Sequence, residues 1–128
     1  MRALGLLLVL ALLPGCASTD IVRDARGEGV TRTYAHPYDR AYDAVLSAAR
    51  KKELEIVESD KAKGRILLSH GVTALSWGER IAVFLKPAAG GGRTDVEIVS
   101  KPVMSPLNFP PDWPKLLFEQ IDAELANP

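Results

Sequence analysis

The sequence predicts an α+β domain, a two-layer sandwich of an antiparallel sheet with two helices on one face, in the order β-α-β-β-β-β-α. Three patterns predict it. Apolar side chains recur at helical spacing from Tyr38 to Ala49. The period then changes to two in a series of short segments between Leu54 and Ser100. A last run, Trp113, Leu117, Ile121 and Leu125, returns to four-residue spacing. Elements with one apolar face must bury it against each other, and antiparallel strands under two helices are the economical packing.

At the N-terminus, Arg2 precedes an apolar run from Ala3 to Leu13, and Pro14, Gly15 and the only cysteine, Cys16, follow. The run is about half of the roughly 20 residues that a membrane-spanning helix needs, and it fits the roughly 7–15 of a secretory hydrophobic region. Leu13-Pro14-Gly15-Cys16 resembles a bacterial lipobox, with an aliphatic residue three before the cysteine and a small one just before it. Pro14 departs from the commoner small or β-branched residue at its place. The resemblance implies a diacylglycerol on the Cys16 thiol, cleavage before Cys16 and an acylated new amino terminus. Residues 1–15 are then a signal peptide, 16–29 a lipidated cysteine with a flexible tether, and 30–128 one domain. Ala17 stands where aspartate often marks inner-membrane retention, which implies the outer membrane, facing the periplasm. The stretch Ala17 to Gly29 has only Ile21 and Val22 as larger apolar residues. As coil, about a dozen residues span roughly 20 Å.

Val30 to Tyr34 alternates as a first strand. His36-Pro37 opens the helix, because proline suits a first turn whose N–H has no partner. Asp39 meets the positive end of that helix, and Arg50, Lys51 and Lys52 meet the negative end. Leu54 and Ile56 face inward on the next strand, and Ser59 to Gly64 is a polar turn. Arg65 to His70 then presents Ile66 and Leu68. After a loop with Trp77-Gly78, Ile81, Val83 and Leu85 form the inward side of a third meander strand. Gly90-Gly91-Gly92 belongs to a mobile connection, and Val96 and Ile98 face inward on the strand from Thr94 to Ser100. Lys101 to Pro111 holds four prolines, which exclude regular structure. Asp112 caps the last helix. This order, with the Gly64-Arg65-Ile66 strand start, resembles the helix-grip domains of BamC-like outer-membrane lipoproteins over most of Val30 to Leu125, and the resemblance implies the same fold.

Basic and acidic residues number 16 each, and no basic face of the kind nucleic acid requires stands out. No catalytic set emerges. His36 reads as a helix entry and His70 as an exposed strand end, away from any serine–carboxylate pair. Asp39 and Asp43 read as a solvated helix face, Gly90-Gly91-Gly92 lacks the ending of a phosphate loop, and Trp113 reads as core. No metal-ligand spacing occurs, and no cofactor is expected.

The expected function is therefore a non-enzymatic, lipid-anchored envelope protein that contacts another protein, as an accessory or scaffold. The alternative is a small-molecule or lipid-binding module with a cleft between sheet and helices. The alternation also leaves Val57, Leu67, Phe84 and Val99 as an apolar strip on the sheet face away from the helices. That strip is either an interaction surface or is covered by the proline-rich segment with Val103, Leu107 and Phe109. Intact-mass analysis of the protein made in a bacterial host should show an N-terminal Cys16 carrying lipid, and Cys16→Ser should abolish that mass. An unmodified thiol would overturn the anchor.

Overall fold

The structure, a computed structural model, describes residues 19–104 and 108–127. The lipobox-like stretch with Cys16, and Leu107 of the proline-rich segment, lie outside these residues. In chain order the elements are α1 (Asp20–Arg23), β1 (Val30–Tyr34), α2 (Tyr38–Lys51), β2 (Glu55–Asp60), β3 (Arg65–His70), β4 (Glu79–Pro87), β5 (Thr94–Pro102) and α3 (Trp113–Ala126). The strands form one antiparallel sheet in the order β1-β5-β4-β3-β2, so α2 joins the two edges. The expected helix-grip-like arrangement, β-α-β-β-β-β-α with α2 and α3 over one face, is the one observed.

Local chemistry explains where the elements start and stop. Pro37 stands at the N-cap of α2, one place before the expected first turn, and its carbonyl accepts from the Ala41 N–H at 3.0 Å. At the other end the Leu54 N–H donates to the Ala49 carbonyl at 3.0 Å. Leu54 is therefore spent on closing the helix, and β2 begins at Glu55, running through Ser59 and Asp60, which the sequence assigns to a turn. β5 likewise continues to Pro102, which pairs with Glu79 as the last residue of the strand. A proline is tolerated at a strand end because no further ladder donor is needed there. Asp112 caps α3 as expected, accepting from the Lys115 N–H at 3.2 Å.

The main core lies between sheet and helices. Ile66, Leu68, Ile81, Val83, Leu85, Val96 and Ile98 project from the sheet against Ala41, Val45, Ala48 and Ala49 of α2 and Leu117, Phe118 and Ile121 of α3. All are buried, so side chains fill this space. A polar clamp ties the two helices outside the core. Glu124 receives Lys51 Nζ at 2.6 Å, Ser47 Oγ at 3.0 Å and Gln120 Nε2 at 3.0 Å.

The second face of the sheet overturns one expectation. The segment after Thr19 is not a free tether: α1 and the turn after it lie on the sheet, burying Val22 and Ala25 against Leu67, Ala82, Phe84 and Val99. Three backbone-to-carboxylate bonds hold the segment's end, with the Gly27 N–H donating to both Glu97 oxygens at 2.8 Å and the Gly29 N–H to Oε2 at 2.9 Å. Gly29 is required by this approach, since a Cβ there would stand 2.2 Å from the Ile98 carbonyl oxygen. Arg23 Nη1 reaches Glu58 at 2.8 Å, and Arg65 Nε reaches the other oxygen of Glu58 at 2.8 Å.

Leu117→Ala or Ile121→Ala should each cost about 2–5 kcal/mol, whereas Gln120→Ala should stay within about 1 kcal/mol, as read from denaturant unfolding. Hydrogen bonds first from Arg23, then from Arg65, hold the Glu58 carboxyl below its usual range, and Lys51, Gln120 and Ser47 do the same for Glu124. A carboxyl depressed in the folded state contributes stability above its unfolded value of 4.5, and that stability fades as pH falls through the lower folded value. Unfolding midpoints should therefore drop as pH falls from 4.5 through the folded value, less steeply in Glu58→Gln. Identical slopes would contradict the assignment.

Candidate functional site

The polar centre of the molecule lies at one end of the sheet, where β3 ends, β4 starts and α3 begins. Period-two alternation puts Glu79 on the same inward face as Ile81, Val83 and Leu85, and the register sets His70 directly opposite it. Glu79 is fully buried. Burying a carboxylate is costly unless its oxygens are satisfied, and here both are. Trp113 Nε1 donates to Oε1 at 2.7 Å, His70 Nδ1 lies 3.0 Å from the same oxygen, and the Ser76 hydroxyl donates to Oε2. The His70 and Trp113 rings lie against each other, with centroids 4.8 Å apart.

His70 is thus not the exposed strand end that the sequence suggests, because its register opposite Glu79 turns it into the cluster. The set contains a serine, a histidine and a carboxylate, but the carboxylate sits between the other two. A hydrolytic triad needs the histidine in that place, where it can take the serine proton. The geometry instead makes Glu79 a tie between three elements: β3 through His70, the loop 71–78 through Ser76, and α3 through Trp113. The Ser76 hydroxyl also receives the Gly78 N–H at 3.0 Å, which closes the loop on itself. Trp113 is a core residue as expected.

What this tie positions is an apolar surface. The loop 71–78 and the segment after β5 are joined by main-chain bonds, Val103 N–H to the Gly78 carbonyl at 2.9 Å and Phe109 N–H to the Leu75 carbonyl at 2.8 Å. The Asn108 side-chain oxygen accepts from the Trp77 N–H at 3.2 Å. Held this way, Val72, Leu75, Trp77, Met104 and Phe109 present roughly half to two-thirds of their surface to solvent. Large apolar side chains kept outward on two mutually bonded loops are a feature of the kind that marks interaction surfaces.

The strip expected to serve that role is elsewhere and mostly hidden. Leu67, Phe84 and Val99 are buried under Val22 and Ala25, so a segment on the N-terminal side covers them, not the proline-rich one. Val57 alone is exposed, at 45%, because it sits at a register irregularity in edge strand β2. Phe109, expected as part of a cover, points outward instead. Among the described residues no group of three or more histidine, cysteine, aspartate or glutamate side chains is placed to hold a metal ion.

Compared with known protein families and with curated proteins, the chain matches none. Among solved structures it is similar to Ara h 8.0201, with 13% identity, coverage of 77% of this chain and 96% of that one, and a TM-score of 0.48. It is also similar to CalU16 from Micromonospora echinospora, at 12% identity, 75% and 84% coverage and a TM-score of 0.41. A third similar structure is TTHA0849 from Thermus thermophilus, at 16% identity, 75% and 84% coverage and a TM-score of 0.28. The architecture itself is read from the strand pairing and helix packing described above.

Glu79→Ala should lower stability by at least about 2 kcal/mol in denaturant unfolding, since hydrogen bonds to a charged group contribute about 1.5–3 kcal/mol and their donors would be left buried. Asp112→Ala, which removes only a helix cap, should cost about 1 kcal/mol. Equal small losses would contradict a tie at Glu79.

Proposed function

We propose that the chain is a lipid-anchored cell-envelope protein that works by binding another protein and performs no catalysis. The lipobox-like sequence at Cys16 supports the anchor, and Ala17 after it supports the outer membrane and a periplasm-facing domain. The observation that carries the binding role is the patch of Val72, Leu75, Trp77, Met104 and Phe109, fixed by the bonds between its two loops. Rigid display lowers the ordering cost of association, and tryptophan and other aromatic side chains supply most of the energy in such contacts. The partner this surface fits is a protein with an apolar groove or face of its own. A cleft between sheet and helices is not favoured, because branched aliphatic and aromatic side chains occupy that space.

Leu75→Asp and Phe109→Asp test this directly. Both side chains are about two-thirds exposed, so each change should leave the unfolding free energy within about 0.5 kcal/mol. In whole-envelope crosslinking, each should remove the partner band seen with the wild type. Retention of the band in both variants would show that the protein binds through another face.

A further inference from the structure

The opposite end of the sheet carries a second feature. A recess of about 400 Å³ opens where the turn after β2 meets the end of β4, and its walls include Arg26, Lys61, Lys63 and Lys86 around Tyr38 and Leu85. Among the described residues no acidic side chain lines it. Lys61 has an ion-pair partner, exposed Asp39 at 3.2 Å, while among the described residues Lys63 and Lys86 have none. Arg26 donates to the Lys63 carbonyl at 3.3 Å and lies over the Phe84 ring, 4.7 Å from its centroid, and Asp95 and Glu97 line the neighbouring hollow that it shares with Lys86, not this one. In a chain whose charges balance overall, this is a local concentration of cations in a concave wall, which focuses the field on an anion.

We infer that this basic recess binds the phosphate headgroups of anionic lipids in the bilayer that holds the anchor, an inference that rests on the anchored reading above. The argument is one of reach. Thr19 is buried and its segment is docked, so only three residue steps separate it from Cys16, and three steps span at most about 11 Å. A free tether of roughly 20 Å root-mean-square span would let the domain's charges drift to separations beyond the screening length of about 8 Å at physiological salt. The docked segment removes that separation, and the same segment supplies Arg26 as one wall of the recess. The docked segment thus carries both the short link to the anchor and, seven residues on from Thr19, the Arg26 wall of the recess, and the headgroups would provide the negative charge that the recess lacks.

The test uses the full chain with Cys16→Ser, so that attachment does not depend on lipidation, and cosedimentation with two kinds of vesicle. Pure phosphatidylcholine reports the contribution of the apolar N-terminal run. Vesicles of equal parts phosphatidylcholine and phosphatidylglycerol should bind about tenfold more tightly or better, since each basic side chain at an anionic surface is worth about fivefold. Lys63→Ala/Lys86→Ala, both exposed, should melt like the parent and lose that preference, whereas Arg50→Ala/Lys52→Ala should keep it. Equal binding to both vesicles, or equal loss in both double variants, would overturn the inference. Titration with inorganic phosphate is the third arm. Amide shifts at Lys63 and Lys86 without any phosphatidylglycerol preference would mean that the recess takes a soluble anion, and the headgroup assignment would fail. The lipid mass on Cys16 of the wild type is read separately, so failure of the anchor and failure of the recess remain distinct.

Discussion

A five-stranded sheet that is apolar on both faces has to be covered twice, and the chain is organised by that constraint. α2 and α3 cover one face with a stripe of alanine, valine, leucine, isoleucine and phenylalanine. The other face would leave Leu67, Phe84 and Val99 in water, at a cost of roughly 1.5–3 kcal/mol for each large side chain. The segment before β1 removes that cost with Val22 and Ala25, and Glu97 fastens it by accepting from two glycine N–H groups. Glu97 is the counterpart of Glu79: each is a buried or nearly buried carboxylate that joins an irregular segment to the sheet, one on each face.

These two carboxylates divide the molecule's surface into ends with different chemistry. At the Glu79 end, loops without regular structure are bonded to each other, and Glu79 joins the first of them to α3 through Ser76 and Trp113, while their apolar side chains stay outward. At the far end, the docked segment brings Arg26 beside the lysines of the turn before β3. Gly64 makes that turn possible, since its φ of +64° is unfavourable for other residues and a Cβ would lie 2.1 Å from the Leu85 carbonyl oxygen. One end is apolar and the other basic, and the docked segment with Val22 and Ala25 lies against the sheet face opposite the helices.

Most of the fold was legible because its signals are local. The stripe from Tyr38 to Ala49, the alternation of Ile66 and Leu68 and of Ile81, Val83 and Leu85, and the Asp112 cap all act within a few residues, and each element is where they place it. The docked segment was not legible in the same way. Asp20–Arg23 is a single turn of helix, and it is ordered by tertiary contact, not by propensity. The strip beneath it was legible, but the proline-rich segment with Val103, Leu107 and Phe109 is not its cover: Val22 and Ala25, two apolar residues without a periodic signature, supply it. Glu79 was missed although a signal existed. Extending the alternation back from Ile81 puts it inward, and extending that of Ile66 and Leu68 forward does the same for His70. The apolar loop surface has no periodic signature, so only the bonds between the two loops, distant in sequence, reveal it.

Amide hydrogen exchange of the full chain tests the central claim, that residues 19–29 are part of the folded domain. The N–H groups of Gly27 and Gly29, bound to Glu97, and that of Ala25, bound to the Val22 carbonyl at 3.1 Å, should be protected well above those of Gly90 to Gly92 in the β4–β5 connection. Exchange of all of them at the rate of an open loop would contradict the account, returning the segment to a free tether and Leu67, Phe84 and Val99 to the surface.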